Sequence, residues 1–225
     1  FARGLRAIVR QDPDIIMVGE IRDRETMDVA IESSLTGHLV FSTIHTNSAV
    51  ETLTRISNME VPEFLMSSTI NLIIAQRLVR KVCTGCRQES APSPEIMERV
   101  KRALKFLHPD EIKLYDPAVF KNLKFYEGKG CDACGGTGFF GRVGIYEVMW
   151  MTNKLRRLIL EKANTMEIEK AALESGMVGL EQSGILKALI GETTLSEVYS
   201  VARESEVEEE ASAGKEVQFK PQTND

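Results

Sequence analysis

The sequence predicts an α/β fold built on a parallel sheet, interrupted by a metal-stapled insertion, and two patterns predict it. Over residues 1–82, short apolar runs alternate with amphipathic stretches in the order strand, helix, strand, helix. Further along, four cysteines fall in two Cys-x-x-Cys pairs of identical spacing.

The first strand is read at Ile15-Ile-Met-Val18, an apolar run flanked by Asp14 and Gly19-Glu20. A short run that is apolar throughout is expected to be buried on both faces, as in a parallel sheet. Asp23 is a candidate N-cap for a helix carried by Met27, Ala30, Ile31 and Leu35 and stopped by Gly37. Residues 39–44 make the second strand. Val50, Leu53 and Ile56 mark the next helix, and Pro62 opens another whose apolar face is read as Phe64, Leu65 and Ile70. From Cys83 to Gly141 the chain is rich in Gly, Pro and Lys, with one helix expected near 94–107. From Val143 onward a helical pattern is expected to return, with Leu155, Leu158 and Ile159 on one face. Leu186, Leu189 and Ile190 follow, stopped by Gly191. Thr194-Leu-Ser-Glu197 reads as a capping box. Residues 204–225 are Glu-rich and aperiodic and read as a disordered acidic tail. The expected division is therefore 1–82, 83–142, 143–203 and 204–225.

Chemistry concentrates at the two strand ends. A buried strand that ends in a carboxylate delivers it to the carboxyl edge of the sheet, where ligands of open α/β folds bind. Glu20 is that carboxylate, able to hold Mg²⁺ through water or to polarise an attacking water. Gly19 beside it would let backbone approach a nucleotide or metal. The second strand ends in Thr43-Ile-His-Thr-Asn47, which would place His45 near Glu20, within reach of a γ-phosphate. Thr43, Thr46 and Asn47 add polar groups at the same edge. His38 is a candidate at the preceding turn, and His108 is read as solvated.

Cys83 and Cys86, with Cys131 and Cys134 after a spacer of 44 residues, form two knuckles. Together they complete a tetrahedral Cys₄ site, structural because no position is left open. Thiolates favour Zn²⁺, with iron the lesser choice. Glycines at 85, 135, 136 and 138 permit the tight turns.

The bulk composition bounds the rest. The chain has 225 residues, 43% hydrophobic and 27% charged, enough for a sizeable core. A net charge of -5 gives no basic footprint for nucleic acid, and argues against direct attachment to anionic lipid. No apolar run approaches the roughly 20 residues that cross a bilayer, and no signal peptide is visible. Phe1 in place of Met suggests a cut N-terminus.

The stretches Arg10–Asp23 and Thr36–Asn47 resemble the Walker B and histidine boxes of the bacterial ATPases of type II secretion and type IV pilus assembly. Ala75-Gln-Arg-Leu-Val79 before the first cysteine pair and Gly141-Arg-Val-Gly-Ile-Tyr-Glu147 after the second also fit. The resemblance covers about residues 1–202. It implies the C-terminal part of a RecA-like P-loop ATPase core, a tetracysteine zinc insertion and a helical C-terminal subdomain. It further implies a homo-hexameric motor using ATP and Mg²⁺, cytoplasmic and held at the inner membrane through a platform protein. Glu20 takes the Walker B role and His45 the histidine-box role, with Gly19, His38 and Thr43 near the nucleotide. Because retraction motors of this type lack the cysteine module, assembly or secretion is expected. No Gly-x-x-x-x-Gly-Lys-Ser/Thr pattern occurs in the sequence. The phosphate-binding loop is therefore expected upstream, and the chain alone is expected to be inactive. A rival reading is a zinc-ribbon-type binding module for nucleic acid or protein. Cys131-Asp-Ala-Cys-Gly-Gly-Thr-Gly138 also matches one unit of the Hsp40-type zinc domain, but Cys83–Glu89 breaks that pattern.

Overall fold

A computed structural model describes residues 2–202; the expected acidic tail lies outside them. In chain order the elements are α1 (Ala2–Val9), β1 (Ile15–Val18), α2 (Arg24–Leu35), β2 (Leu39–Ser42), α3 (Ala49–Ser57) and α4 (Glu63–Thr69). They continue with β3 (Leu72–Val82), β4 (Arg87–Ser90), α5 (Pro94–Lys105), α6 (Pro109–Ile112), α7 (Pro117–Lys121), β5 (Phe125–Gly128) and β6 (Phe139–Trp150). The chain closes with α8 (Asn153–Leu160), α9 (Thr165–Glu174), α10 (Leu180–Leu189) and α11 (Leu195–Val201). It divides into two compact units. One runs through Ile73 and takes back Trp150–Ile168; the other holds Ile74–Met149 and the chain from Glu169 onward.

In the first unit β1 and β2 pair in parallel, from Ile15 opposite Leu39 to Val18 opposite Ser42. The Asp23 side chain accepts from the Thr26 N–H at 2.8 Å and starts α2. Gly37, at φ 101°, turns the chain into β2. Met27, Ala30 and Ile31 of α2 are buried, as are Val50, Leu53 and Ile56 of α3. Two expectations need correction. The β1–β2 pair is covered on one face only among the described residues. Ile16 and Val18 are 3% exposed, whereas Ile15, Met17, Leu39 and Phe41 are 57%, 83%, 48% and 52% exposed. In α4 the buried residues are Met66 and Ser67, and Phe64 faces out.

The second unit is organised by two ribbons. β3 and β6 pair; Gln76 donates to the Tyr146 hydroxyl, and further along the Cys83 N–H donates to the Gly138 carbonyl, so the strands run antiparallel. The segment from Val143 to Trp150, expected to be helical, is thus strand. β4 and β5 pair antiparallel, Arg87 opposite Gly128. A core of Val100 and Ala103 from α5, Phe125, Ile185, Ala188 and Leu189 from α10, and Leu195 packs beside them. Val100, Ala103, Ile185 and Ala188 are sealed from solvent. His108 is not solvated: it is 3% exposed, and its Nδ1 accepts from the Asp110 N–H to cap α6. Thr194 caps α11 by accepting from the Glu197 N–H. The Glu197 carboxylate does not return to Thr194; it binds Arg80 instead.

Candidate functional site

Parallel pairing carries the chain past β1 and β2 to a shared carboxyl edge. There the Ile21 N–H donates to the Thr43 carbonyl at 3.0 Å, and the Thr43 hydroxyl donates to the Gly19 carbonyl at 2.7 Å. These two bonds tie the chain beyond β1 to the chain beyond β2, the Ile21 bond lying one residue out of the register of the regular ladder. Glu20 and His45 meet as a result, with His45 Nε2 3.2 Å from Glu20 Oε2. The imidazole is 81% exposed and the carboxylate 36%, so both groups face open solvent, available to a ligand.

Arg22 donates from Nε to the same Oε2 at 2.7 Å. That hydrogen bond is the first cause holding the Glu20 carboxyl below the usual carboxylate range, with His45 a smaller contributor. Glu20 is accordingly a carboxylate at neutral pH, fit to hold a cation or to orient water. Gly19 has open space where a Cβ would stand.

The edge gathers Gly19, Glu20, Thr43 and His45, and it leaves the other expected polar residues out. His38 precedes β2 and therefore sits at the opposite end of that strand. Its Nδ1 lies 2.9 Å from the Ser33 carbonyl and 3.0 Å from the Thr36 hydroxyl, which holds the turn after α2. Thr46 and Asn47 serve the start of α3: Thr46 Oγ1 lies 2.8 Å from Thr52 Oγ1, and the Asn47 N–H donates to Glu51. Arg22 was not singled out by the sequence reading. Its place two residues beyond Glu20, just past the strand, was the available signal, since alternate residues of a strand share a face.

The four cysteine sulfurs lie within 4.8 Å of one another. Cys83 and Cys131 are 3.8 Å apart, Cys131 and Cys134 3.8 Å, and Cys86 and Cys134 4.0 Å. A tetrahedron of zinc–sulfur bonds of about 2.3 Å has edges of about 3.8 Å, so the sulfur spacing and the donor type both fit a thiophilic ion. Backbone N–H groups of Cys131 and Gly138 donate to Cys134 Sγ, each at 3.2 Å, and that of Gly130 to Cys86 Sγ at 3.3 Å. The Cys131 N–H is the first cause drawing the Cys134 thiol down to about 6, while burial pushes Cys86 up to about 11. Glycine makes the fold of this loop possible: a Cβ on Gly128 would fall 2.0 Å from the Gly138 carbonyl oxygen, and one on Gly130 2.4 Å from that of Gly136.

Among the described residues no helix is long and apolar enough to cross a membrane. Residues 1–200 match the family described as Type II/IV secretion system protein. The chain is 47% identical over 204 residues to the type IV pilus assembly ATPase PilB of Pseudomonas aeruginosa, covering 91% of this chain and 34% of that protein. It is 47% identical over 206 residues to the type II secretion system protein E of Xanthomonas campestris pv. campestris, again 91% and 34%. The chain thus spans about a third of the length of these relatives. Among solved structures, the pilus retraction motor PilT with bound ADP matches with a TM-score of 0.58 at 25% identity, over 90% of this chain and 43% of that one. The Legionella pneumophila ATPase DotB shares the fold, with a TM-score of 0.56 at 22% identity, over 89% and 41%.

Proposed function

Because the chain belongs to the type II/IV secretion system protein family, we propose that it is the C-terminal part of a hexameric ATPase motor that drives type II secretion or type IV pilus assembly. The observation that carries this reading is the convergence of His45 and Glu20 at the carboxyl edge of a parallel strand pair, 3.2 Å apart. A motor needs an acid on the metal and water side of its nucleotide, and a group that registers the terminal phosphate. In this reading Glu20 holds Mg²⁺ through water or orients the attacking water, and His45 donates toward the γ-phosphate. Gly19 and Thr43 shape the edge. ATP with Mg²⁺ supplies the reacting phosphoryl group; the chain's own residues supply orientation and charge.

The phosphate-binding Lys and its loop belong, in this proposal, to a segment outside these 225 residues, since no such pattern occurs in them. The bare apolar face of Ile15, Met17, Leu39 and Phe41 supports the packing of further core elements there in a longer protein. The cysteine cluster holds structural Zn²⁺ as part of an insertion over 83–142, between the ATPase core of 1–82 and the helical portion of 143–203. The complete motor works in the cytoplasm, docked on an inner-membrane platform protein. Similarity to proteins named for pilus assembly and type II secretion favours those systems over retraction.

The purified 225-residue chain, given ATP and Mg²⁺, is expected to show no turnover above its own E20Q variant. Turnover above that control would contradict the assignment of the phosphate loop to another segment.

A further inference from the structure

Past β1 the chain turns Ile21 inward, 6% exposed. Alternation then throws Glu20 and Arg22 outward on one side. Arg22 Nε at 2.7 Å and His45 Nε2 at 3.2 Å both address Oε2 of Glu20, while Oε1 accepts no hydrogen bond among the described residues. One oxygen is therefore doubly occupied and the other is bare.

We propose that Arg22 is the resting counter-ion of Glu20, a positioning residue whose guanidinium holds Oε2 until a divalent cation displaces it. The inference rests on reading Glu20 as the metal-side acid of the nucleotide edge. A small divalent cation takes carboxylate oxygens at about 2.0–2.1 Å. It cannot share Oε2 with a guanidinium in contact with that oxygen, because the two cations repel. Arg22 is 73% exposed and bound to Glu20 by this single contact, so its release disturbs no packing. While it stays, only Oε1 is open and the guanidinium charge weakens its attraction for a cation; once it leaves, both oxygens and the full carboxylate charge are available to the metal. The guanidinium thereby sets the cation threshold of the edge.

The test is a Mn²⁺ titration of the 225-residue chain, read as paramagnetic broadening of the His45 ring signals. R22A is expected to broaden at a severalfold lower Mn²⁺ concentration than the wild type. R22Q keeps a hydrogen-bonding side chain without the charge and should behave like R22A. Adding E20Q to either should remove the response. Equal Mn²⁺ dependence in the wild type and both Arg22 variants overturns the proposal, and so does broadening that survives E20Q. The underlying reading of Glu20 fails by a different measurement, ATP turnover in a longer protein carrying E20Q.

Discussion

The hydroxyl of Thr43 donates to the carbonyl of Gly19 at 2.7 Å, joining the two strand ends that carry His45 and Glu20. Neither functional side chain is sealed in by packing, His45 being exposed and Glu20 half-buried, so their meeting depends on backbone placed by bonds like this one. Replacing Thr43 with Val keeps the shape and removes the donor. T43V is expected to lower stability by about 0.5–1.5 kcal/mol in urea unfolding, whereas T43S should stay near wild type. Equal loss in both variants would mean that the methyl group matters and the hydroxyl does not.

Glu197 ties α11 to β3 through the Arg80 guanidinium at 2.6 Å and the Arg80 backbone N–H at 2.9 Å. The guanidinium bond is the first cause holding its carboxyl below the ordinary 4.5. A depressed carboxyl contributes stability that is fully present above the unfolded value and lost as pH falls through the folded one. Stability should therefore decline below about pH 4.5, and E197Q should flatten that decline while being less stable at neutral pH. An unchanged acid limb in E197Q would remove Glu197 from this role.

The Arg99 guanidinium grips the Glu181 carboxylate with two bonds of 2.8 Å, and that carboxylate is 4% exposed. Removing one partner of a buried pair strands the other charge, which costs about 3–5 kcal/mol. R99A is expected near the lower end, because Arg99 itself is 28% exposed. R99M combined with E181L should recover most of the loss, as measured in a double-mutant cycle.

The sulfur tetrahedron should hold one zinc per chain by elemental analysis. Such binding supplies about 10–16 kcal/mol of apparent folding free energy in small zinc domains. Chelation, or C134S, is expected to unfold the segment between the knuckles, seen as lost amide protection over β4 and β5. Metal released without loss of that protection would make the cluster incidental.

The sequence made some of these features legible and hid others, for physical reasons. β1, the Asp23 cap and the Gly37 stop are local signals, and so are the cysteine knuckles; each stands where it was expected. The helical reading of β6 fails because its outward residues Tyr146, Val148 and Trp150 are largely apolar too, which blurs the period of two that marks a half-buried strand. Burial on both faces of β1 failed because an apolar run records what a face can bind and says nothing of whether a partner covers it. The solvated reading of His108 fails because α6 is only four residues long, too short to show a period. Glu197 fitted the capping-box pattern but was drawn away by Arg80, a contact 117 residues distant.

The central claim is that the Glu20–His45 edge belongs to a nucleotide site. Its most direct test is ATP turnover by a longer protein that supplies the phosphate-binding Lys and carries E20Q, with ATP binding measured alongside. The account predicts retained binding and a turnover lower by about 10²–10⁴-fold. Turnover at the wild-type rate would contradict it.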